Sequence, residues 1–151
     1  MLLKSKEHRI SLAWFRLFYV YGANQRQGSL LPTLERSIRE NEVPSLNTPK
    51  NANDFIYVED VANAFDLALN TEFESGVYNL GTGSSTSVID FCKTLEVVMK
   101  NSHQLTMKLI HNTQNSNQEV NFSASITKTK ETFGWTAQTS LVDGLSRSLK
   151  K

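Results

Sequence analysis

The stretch Asp54-Phe55-Ile56-Tyr57-Val58-Glu59-Asp60-Val61-Ala62 decides the fold of this chain. Within it, an apolar run typical of a short strand changes into a helical pattern with a carboxylate near its start. We interpret Asp60 as a carboxylate that matches the helix dipole or caps the helix, with a general base as the alternative. The stretch therefore predicts a short strand followed at once by a helix.

Strand and helix patterns alternate on both sides of this stretch. Residues 10–20 are apolar, with many aromatic and β-branched side chains, apart from Ser11 and Arg16, which predicts a strand buried on both faces, as in a parallel sheet. Residues 76–80 predict another strand, and residues 105–110 are a further strand candidate. Helical patterns cover residues 30–38, 61–69, 88–99, 126–133 and 141–149. The alternation predicts an α/β fold.

Local signals mark several helix ends. Pro32 suits a first helical turn, Ser87 with Asp90 predicts a capping box, and Gly134 suits the position after a helix. Ser140 with Asp143 suggests another cap. The polar run 112–118 predicts a mobile loop. One helix carries an apolar stripe of Val61, Ala64, Phe65, Ala68 and Leu69.

Composition limits the class of protein. The 151 residues are 39% hydrophobic and 21% charged, which fits one ordinary domain with a core. A net charge of +1 gives no reason to expect nucleic acid or an anionic membrane as partner. The single cysteine, Cys92, excludes an internal disulfide and predicts a buried small hydrophobe in a reducing compartment. With no signal peptide and no apolar run near the ~20 residues of a membrane span, we expect a cytoplasmic protein.

Few residues have the spacing of a cofactor-binding, catalytic or metal-binding motif. Gly81-Thr82-Gly83 lies between a strand and a helix, but the third glycine of a dinucleotide fingerprint would fall at Thr86. We therefore interpret it as a tight turn. The three histidines are scattered and no metal-ligand spacing is present, so we predict no catalytic and no metal-binding residue. Trp14 and Trp135 are interpreted as core or interface packing residues.

Several stretches, in order, resemble the extended short-chain dehydrogenase/reductase family, the NAD-dependent nucleotide-sugar epimerases and dehydratases. They are residues 54–62, Arg16-Leu17-Phe18-Tyr19-Val20-Tyr21-Gly22, Gln25, Gly28-Ser29-Leu30-Leu31-Pro32, residues 76–83, Phe133-Gly134-Trp135 and residues 141–145. The resemblance covers nearly the whole chain, and it corresponds to the C-terminal part of such enzymes.

The resemblance implies a fold and a site. The chain would be the end of a Rossmann-like parallel sheet plus the small α/β substrate-binding lobe, with residues 1–28 belonging to the NAD-binding domain and 29–151 to the lobe. Leu17 and Phe18 would lie near the nicotinamide. The residues that would contact the nucleotide-sugar are Tyr19, Ser29, Leu30, Leu31 and Asn53. With the rest of the sheet absent, the strand would lack neighbours, exposing Trp14, Phe15 and Phe18.

The sequence also departs from the family pattern. Tyr19 stands where the family usually has an Asn that contacts substrate. Asn53 stands where an Arg often pairs with the diphosphate, and an amide cannot offer that charged, forked contact. The family's Tyr-x-x-x-Lys pair is absent, because Ala23, Gln25, Val61 and Thr82 follow the four tyrosines at that spacing.

Two main hypotheses remain open. The chain is either the C-terminal part of an NAD-dependent nucleotide-sugar epimerase, dehydratase or reductase, inactive alone, or a non-catalytic module that binds a nucleotide-sugar or the rest of a split enzyme. The full-length family uses NAD or NADP, which we do not expect this chain to bind alone. Expected partners are a nucleotide-sugar and the N-terminal half or a second copy. An enzyme of another class is a third alternative.

Overall fold

A computed structural model describes residues 10–46, 49–101, 104–112 and 120–150 of the chain. The strands are β1 (Ala13–Leu17), β2 (Tyr19–Tyr21), β3 (Ala52–Asn53), β4 (Phe55–Tyr57), β5 (Gly76–Leu80), β6 (Thr86–Ser87) and β7 (Asn121–Phe122). The helices are α1 (Leu30–Glu40), α2 (Val58–Leu69), α3 (Val88–Val98), α4 (Gln104–Asn112), α5 (Thr127–Phe133) and α6 (Leu141–Ser148). The predicted α/β fold is confirmed.

The chain changes its strand partner at Phe18. β1 pairs in parallel with β5, and β2 pairs in parallel with β4. The N–H of Phe18 donates to the carbonyl of Leu80 at 3.1 Å, whereas the N–H of Tyr19 donates to the carbonyl of Asp54 at 3.0 Å. We call this change of partner the fork. The carboxyl ends of β1 and β5 meet there, beside the start of the β2–β4 pair.

The prediction that residues 10–20 form a strand buried on both faces is wrong. Trp14, Leu17 and Tyr19 are 52%, 49% and 51% exposed, because no element among the described residues fully covers these side chains. The expectation that this strand lacks neighbours is also wrong, since β5 and β4 pair with it. Phe15 points to a packed side, with its ring centroid 4.8 Å from that of Phe65. Trp14 is therefore not a core residue in this part of the chain.

Two hydrophobic clusters lie on opposite sides of β4, because successive side chains of a strand alternate in direction. The first contains Tyr21, Leu31, Leu34, Ile38, Phe55, Tyr57, Val88, Phe91, Cys92, Leu95, Leu105, Leu109 and Leu145. The second contains Ile56, Val61, Ala64, Tyr78, Leu80, Phe133 and Trp135. The prediction that Cys92 is a buried small hydrophobe is confirmed, and so is the packing role of Trp135.

The predicted helix caps are confirmed. The hydroxyl of Ser87 accepts the N–H of Asp90 at 3.0 Å at the start of α3. The hydroxyl of Ser140 accepts the N–H of Asp143 at 3.1 Å at the start of α6. Gly134 follows α5 with a φ of 64°, the left-handed conformation in which glycine is least strained. The two serine caps depend on residues three positions apart and the glycine end on one residue, which is why the sequence reveals them.

The strand candidate at residues 105–110 is wrong, because this segment is the helix α4. The carboxylate of Glu96, in α3, accepts the N–H of Leu105 at 2.8 Å and of Thr106 at 3.4 Å, and also the hydroxyl of Thr106. It thus satisfies N–H groups that a helix start leaves without partners. Most of the predicted loop at 112–118 lies outside the described residues.

The apolar stripe predicted for α2 is only partly buried. Val61 and Ala64 face the second cluster, but Phe65 and Leu69 are 47% and 85% exposed. Asp60 lies in the first turn, as expected for a dipole-matched carboxylate. Its carboxylate accepts the N–H groups of residues 138 and 139 at 3.2 and 3.0 Å, so it holds the segment before α6. Among the described helices, none is long and apolar enough to cross a membrane.

Candidate functional site

A cavity of about 340 Å³ lies beside β2, between that strand and the first turn of α1. We call it the β2 cavity. Its lining residues are Tyr19, Val20, Tyr21, Gln25, Arg26, Ser29, Leu30, Leu31, Phe55 and Phe91. The structure thus brings together four of the five residues that the resemblance assigns to substrate: Tyr19, Ser29, Leu30 and Leu31.

The start of α1 lies beside this cavity and leaves backbone N–H groups without an acceptor in the helix. The first N–H groups of a helix, here at Leu30 and Leu31, have no acceptor within the helix. Ser29 is the N-cap residue in extended conformation, and its side chain makes no capping hydrogen bond. Pro32 follows without an N–H of its own. Leu30 and Leu31, which line the β2 cavity, therefore carry N–H groups that the helix does not use.

Aromatic rings form the opposite wall. The ring centroids of Phe55 and Phe91 are 4.6 Å apart, and Tyr19 meets Phe55 edge-on at 5.8 Å. Both phenylalanines are buried, whereas half of Tyr19 is exposed. Burial, with a contribution from Asp60, raises the pKa of the Tyr21 hydroxyl, so this group stays protonated at neutral pH. Of these rings, Tyr19 therefore offers the accessible aromatic surface, and the wall offers no base.

Gln25 and Arg26 are the polar groups of the β2 cavity that the predicted site omitted. The Gln25 amide nitrogen, Nε2, donates to the carbonyl of Val20 at 3.0 Å. Its oxygen, Oε1, is buried without a hydrogen-bond partner. Arg26 is exposed and brings a cation to the cavity. Polar residues in a turn are too common for their sequence alone to mark them as ligand contacts.

The other predicted site residues lie at the fork rather than in the β2 cavity. Phe18 stacks on Phe122 with ring centroids 5.1 Å apart and an angle of 18° between the rings. Leu17 ends β1 and is half exposed, and Asn53 lies opposite Phe122 in the β3–β7 pair. Leu17 and Phe18 lie at the carboxyl edge of the β1–β5 pair, which is where ligands bind in open α/β sheets, whereas Asn53 precedes the amino end of β4.

The carboxylate of Asp54 binds backbone N–H groups of the glycine turn at residues 81–83. The fully buried Asp54 carboxylate accepts the N–H groups of Thr82 at 2.7 Å, Gly83 at 2.9 Å and Ala124 at 3.0 Å. A Cβ at Gly81 would lie 2.6 Å from an oxygen of this carboxylate. The interpretation as a tight turn is confirmed. Since these amides are already paired with an anion, the turn does not fit the diphosphate of a dinucleotide.

The remaining titratable side chains that could act in chemistry have structural roles instead. Within the described ranges, no group of three or more His, Cys, Asp or Glu residues is placed to hold a metal ion. Burial raises the pKa of the Cys92 thiol to about 11, so it is not a nucleophile at neutral pH. The Asp60 carboxylate is buried and accepts two backbone N–H groups, which leaves its base role without support.

Comparison with known proteins gives a family and a set of relatives. The model of the NAD dependent epimerase/dehydratase family matches residues 2–81. A CDP-abequose synthase of Salmonella muenchen is 26% identical over 134 residues, which are 89% of this chain and 45% of that protein. The trifunctional UDP-glucose 4,6-dehydratase/UDP-4-keto-6-deoxy-D-glucose 3,5-epimerase/UDP-4-keto-L-rhamnose-reductase of Arabidopsis thaliana is 28% identical over 131 residues, 86% of this chain and 19% of that protein.

Solved structures show the same fold. The UDP-glucuronic acid 4-epimerase of Bacillus cereus, in complex with UDP-glucuronic acid and NAD, superposes with a TM-score of 0.75 at 22% identity. The superposition covers 97% of this chain and 46% of that one. The parallel strand pairs therefore correspond to part of a Rossmann-like fold. The chain spans less than half the length of the relatives compared here.

Proposed function

The chain belongs to the NAD dependent epimerase/dehydratase family, and from this premise we propose that it forms the nucleotide-sugar-binding part of such an enzyme. One observation carries the proposal: the β2 cavity gathers Tyr19, Ser29, Leu30 and Leu31 beside the fork. The relatives support it, since their names describe enzymes of CDP- and UDP-linked sugars.

Different parts of the nucleotide-sugar bind in the β2 cavity and at the fork. The nucleoside occupies the β2 cavity, between the aromatic wall and the start of α1. The diphosphate pairs with Arg26, which provides a cation that Asn53 lacks. The sugar extends past Tyr19 toward Leu17 and Phe18, the residues that we assign to the edge of the nicotinamide site. Asn53 contributes at most a neutral hydrogen bond there.

Catalysis requires groups that these residues do not supply. NAD carries the hydride chemistry in such enzymes, and the protein orients the cofactor and substrate. In this chain the amides at residues 82 and 83 are occupied by Asp54, and no tyrosine precedes a lysine by four positions. We propose that the chain alone is inactive, with residues 1–28 completing the NAD-binding domain and 29–151 forming the substrate lobe. A cytoplasmic location remains part of this proposal.

A second candidate is a non-catalytic module that binds a partner protein. The exposed apolar side chains of Trp14, Leu17 and Tyr19 along the β1–β2 strand favour it. The two candidates differ in ligand. The substrate-lobe function requires nucleotide binding in the β2 cavity, whereas a purely partner-binding module does not.

Titration calorimetry of the purified chain with UDP and CDP tests the proposal. We expect millimolar or tighter binding of at least one nucleotide. Leu30→Glu should weaken it at least about tenfold, because a carboxylate would repel the diphosphate while still suiting the first helical turn. Leu69→Glu, at an exposed position of α2, is the matched control and should bind like the wild type. Absence of binding at millimolar ligand, or an unaffected Leu30→Glu variant, would refute the substrate-lobe function.

A further inference from the structure

One side of β1 has no strand beside it. Among the described residues, β1 pairs with β5 alone. At both ends of β1 the even-numbered residues bond toward β5, since the carbonyl of Leu12 accepts from it at 2.9 Å and the N–H of Phe18 donates to it at 3.1 Å. Ala13, Phe15 and Leu17 therefore direct their backbone N–H and C=O groups away from β5. We call this side of β1 the open edge.

The open edge is complementary to a second copy of itself. An unpaired strand edge is a template for another strand, and two identical edges that meet about a two-fold axis run antiparallel. With the axis at Phe15, Ala13 lies opposite Leu17 of the partner subunit. Every N–H and C=O that these three residues direct outward then has a partner. An axis at any other residue of β1 would shorten the ladder.

The same register pairs a cation with an aromatic ring. Trp14 is 52% exposed and Arg16 is exposed, and both lie on the same side of β1. Trp14 would lie directly across from Arg16 of the partner subunit, in a pair without backbone hydrogen bonds, where opposing side chains approach most closely. A guanidinium packs favourably over the face of an indole ring. The strand is therefore complementary in charge to its own two-fold image.

The other side of β1 adds an apolar contact. The ring centroid of Phe65, in α2, is 4.8 Å from that of Phe15, and Phe65 is 47% exposed. Because Phe15 lies on the two-fold axis, the exposed part of Phe65 comes close to the same axis and can be covered there. The net charge of +1 gives little repulsion between two copies.

We propose that the chain forms a homodimer in which the open edges of two copies pair antiparallel about Phe15, with Trp14 of each subunit against Arg16 of the partner subunit. The two β1–β5 pairs then become one continuous sheet. This inference goes beyond the proposed function and does not depend on it, since the nucleotide is assigned to β2 and α1.

Sedimentation velocity of the complete 151-residue chain, between ~10 µM and ~0.5 mM, tests the proposal. We expect a change from monomer to dimer over this range. Trp14→Arg places two guanidinium groups opposite each other and should weaken the dimer at least about tenfold. Adding Arg16→Trp restores the cation–π pair with its members exchanged, and should return the dissociation constant to within about threefold of the wild type. Val142→Arg, at an exposed position of α6, is the matched control and should dimerise like the wild type.

Amide hydrogen exchange of the wild type locates the interface without any substitution. The N–H of Phe15 faces the open edge, whereas the N–H of Arg16 faces β5. We expect the protection of the Phe15 amide to rise with chain concentration, while the Arg16 amide is protected at every concentration.

Three results would overturn the proposal. A chain that stays monomeric at every concentration leaves the open edge to a strand of another protein. A dimer in which the Phe15 amide exchanges equally at all concentrations, or which Trp14→Arg does not weaken, has its interface elsewhere. A folded double variant that dimerises as weakly as Trp14→Arg contradicts the register about Phe15.

Discussion

Asp54 illustrates what a single residue contributes to this site. Its carboxylate accepts backbone N–H groups from residues 82, 83 and 124, and the hydroxyl of Thr82 donates to it at 2.7 Å. The sequence marks Asp54 as the first residue of a recognisable stretch and Gly83 as part of a turn. It cannot join the two, because they are 29 residues apart and no local pattern links them.

Removal of this carboxylate should strongly destabilise the fold. Asp54→Ala leaves several backbone N–H groups buried without acceptors, and we expect the free energy of unfolding to fall by at least about 3 kcal/mol. Urea denaturation monitored by circular dichroism measures it. Asp66→Ala, at an exposed position of α2, should change the stability by less than about 0.5 kcal/mol. Equal midpoints for the two variants would contradict the role given to Asp54.

The residues that line the β2 cavity were predictable to different degrees. Ser29, Leu30 and Leu31 could be assigned because the start of α1 and the family resemblance coincide there. Phe55 and Phe91 could not, since an aromatic residue on an apolar stripe is the normal sign of a core position. Both are indeed buried, and they line the β2 cavity only because β4 and α3 meet there. Contacts between distant segments create the cavity, so the sequence alone does not reveal it.

At the scale of secondary-structure elements, the sequence predicted the helices that are capped by residues adjacent to them in the chain. α3 and α6 begin at a serine with an aspartate three residues later, and both were predicted. α4 was missed, because its first N–H groups are satisfied by Glu96 from the preceding helix. The burial of Phe65 and Leu69, on the outer side of α2, was predicted wrongly for a related reason. An apolar pattern indicates which residues can be buried, but a neighbouring element decides whether they are.

The docking of α6 depends on Gly144. A Cβ at this position would lie 2.1 Å from the Tyr21 hydroxyl oxygen and 2.9 Å from the ring carbon that carries it. We expect Gly144→Ala to lower the free energy of unfolding by roughly 1–3 kcal/mol, as overpacking does. Adding Tyr21→Phe, which removes the hydroxyl, should recover part of this loss.

The matched control for this helix is Gly28→Ala. Nothing lies within 4 Å of a Cβ at Gly28. This variant should therefore keep nearly the wild-type stability, whether or not Tyr21 is replaced. If the Gly144→Ala variant were as stable as Gly28→Ala, α6 would not be docked as closely on Tyr21 as the structure indicates.

At the scale of the whole molecule, β4 joins the two hydrophobic clusters. Phe55 and Tyr57 enter the first cluster and Ile56 enters the second. This explains why the stretch at residues 54–62 decides the fold: one short strand serves both cores. The sequence predicted this strand and its helix but not its central position, because alternation reveals two buried faces and not what covers them.

The stability of the whole molecule should depend on pH through Cys92. Burial raises the pKa of this thiol from 9.0 to about 11, so the unfolded chain loses the proton first as the pH rises. The stabilisation is complete below pH 9.0 and is lost progressively toward pH 11. Urea denaturation between these pH values should show a flatter decline for Cys92→Ala, by up to about 1.4 kcal/mol per pH unit. Parallel declines would contradict this contribution.

The Asp54 carboxylate also has a consequence for the motions of the chain. The amide hydrogens of Thr82, Gly83 and Ala124 share this one acceptor, although the last is 70 residues away from Asp54 in sequence. None of them can exchange with solvent deuterium until the carboxylate is released. The amides of two separate segments should therefore exchange at a common opening rate, as members of one cooperative unit. The buried Asp54 carboxylate thus makes amide hydrogens from distant parts of the sequence exchange together.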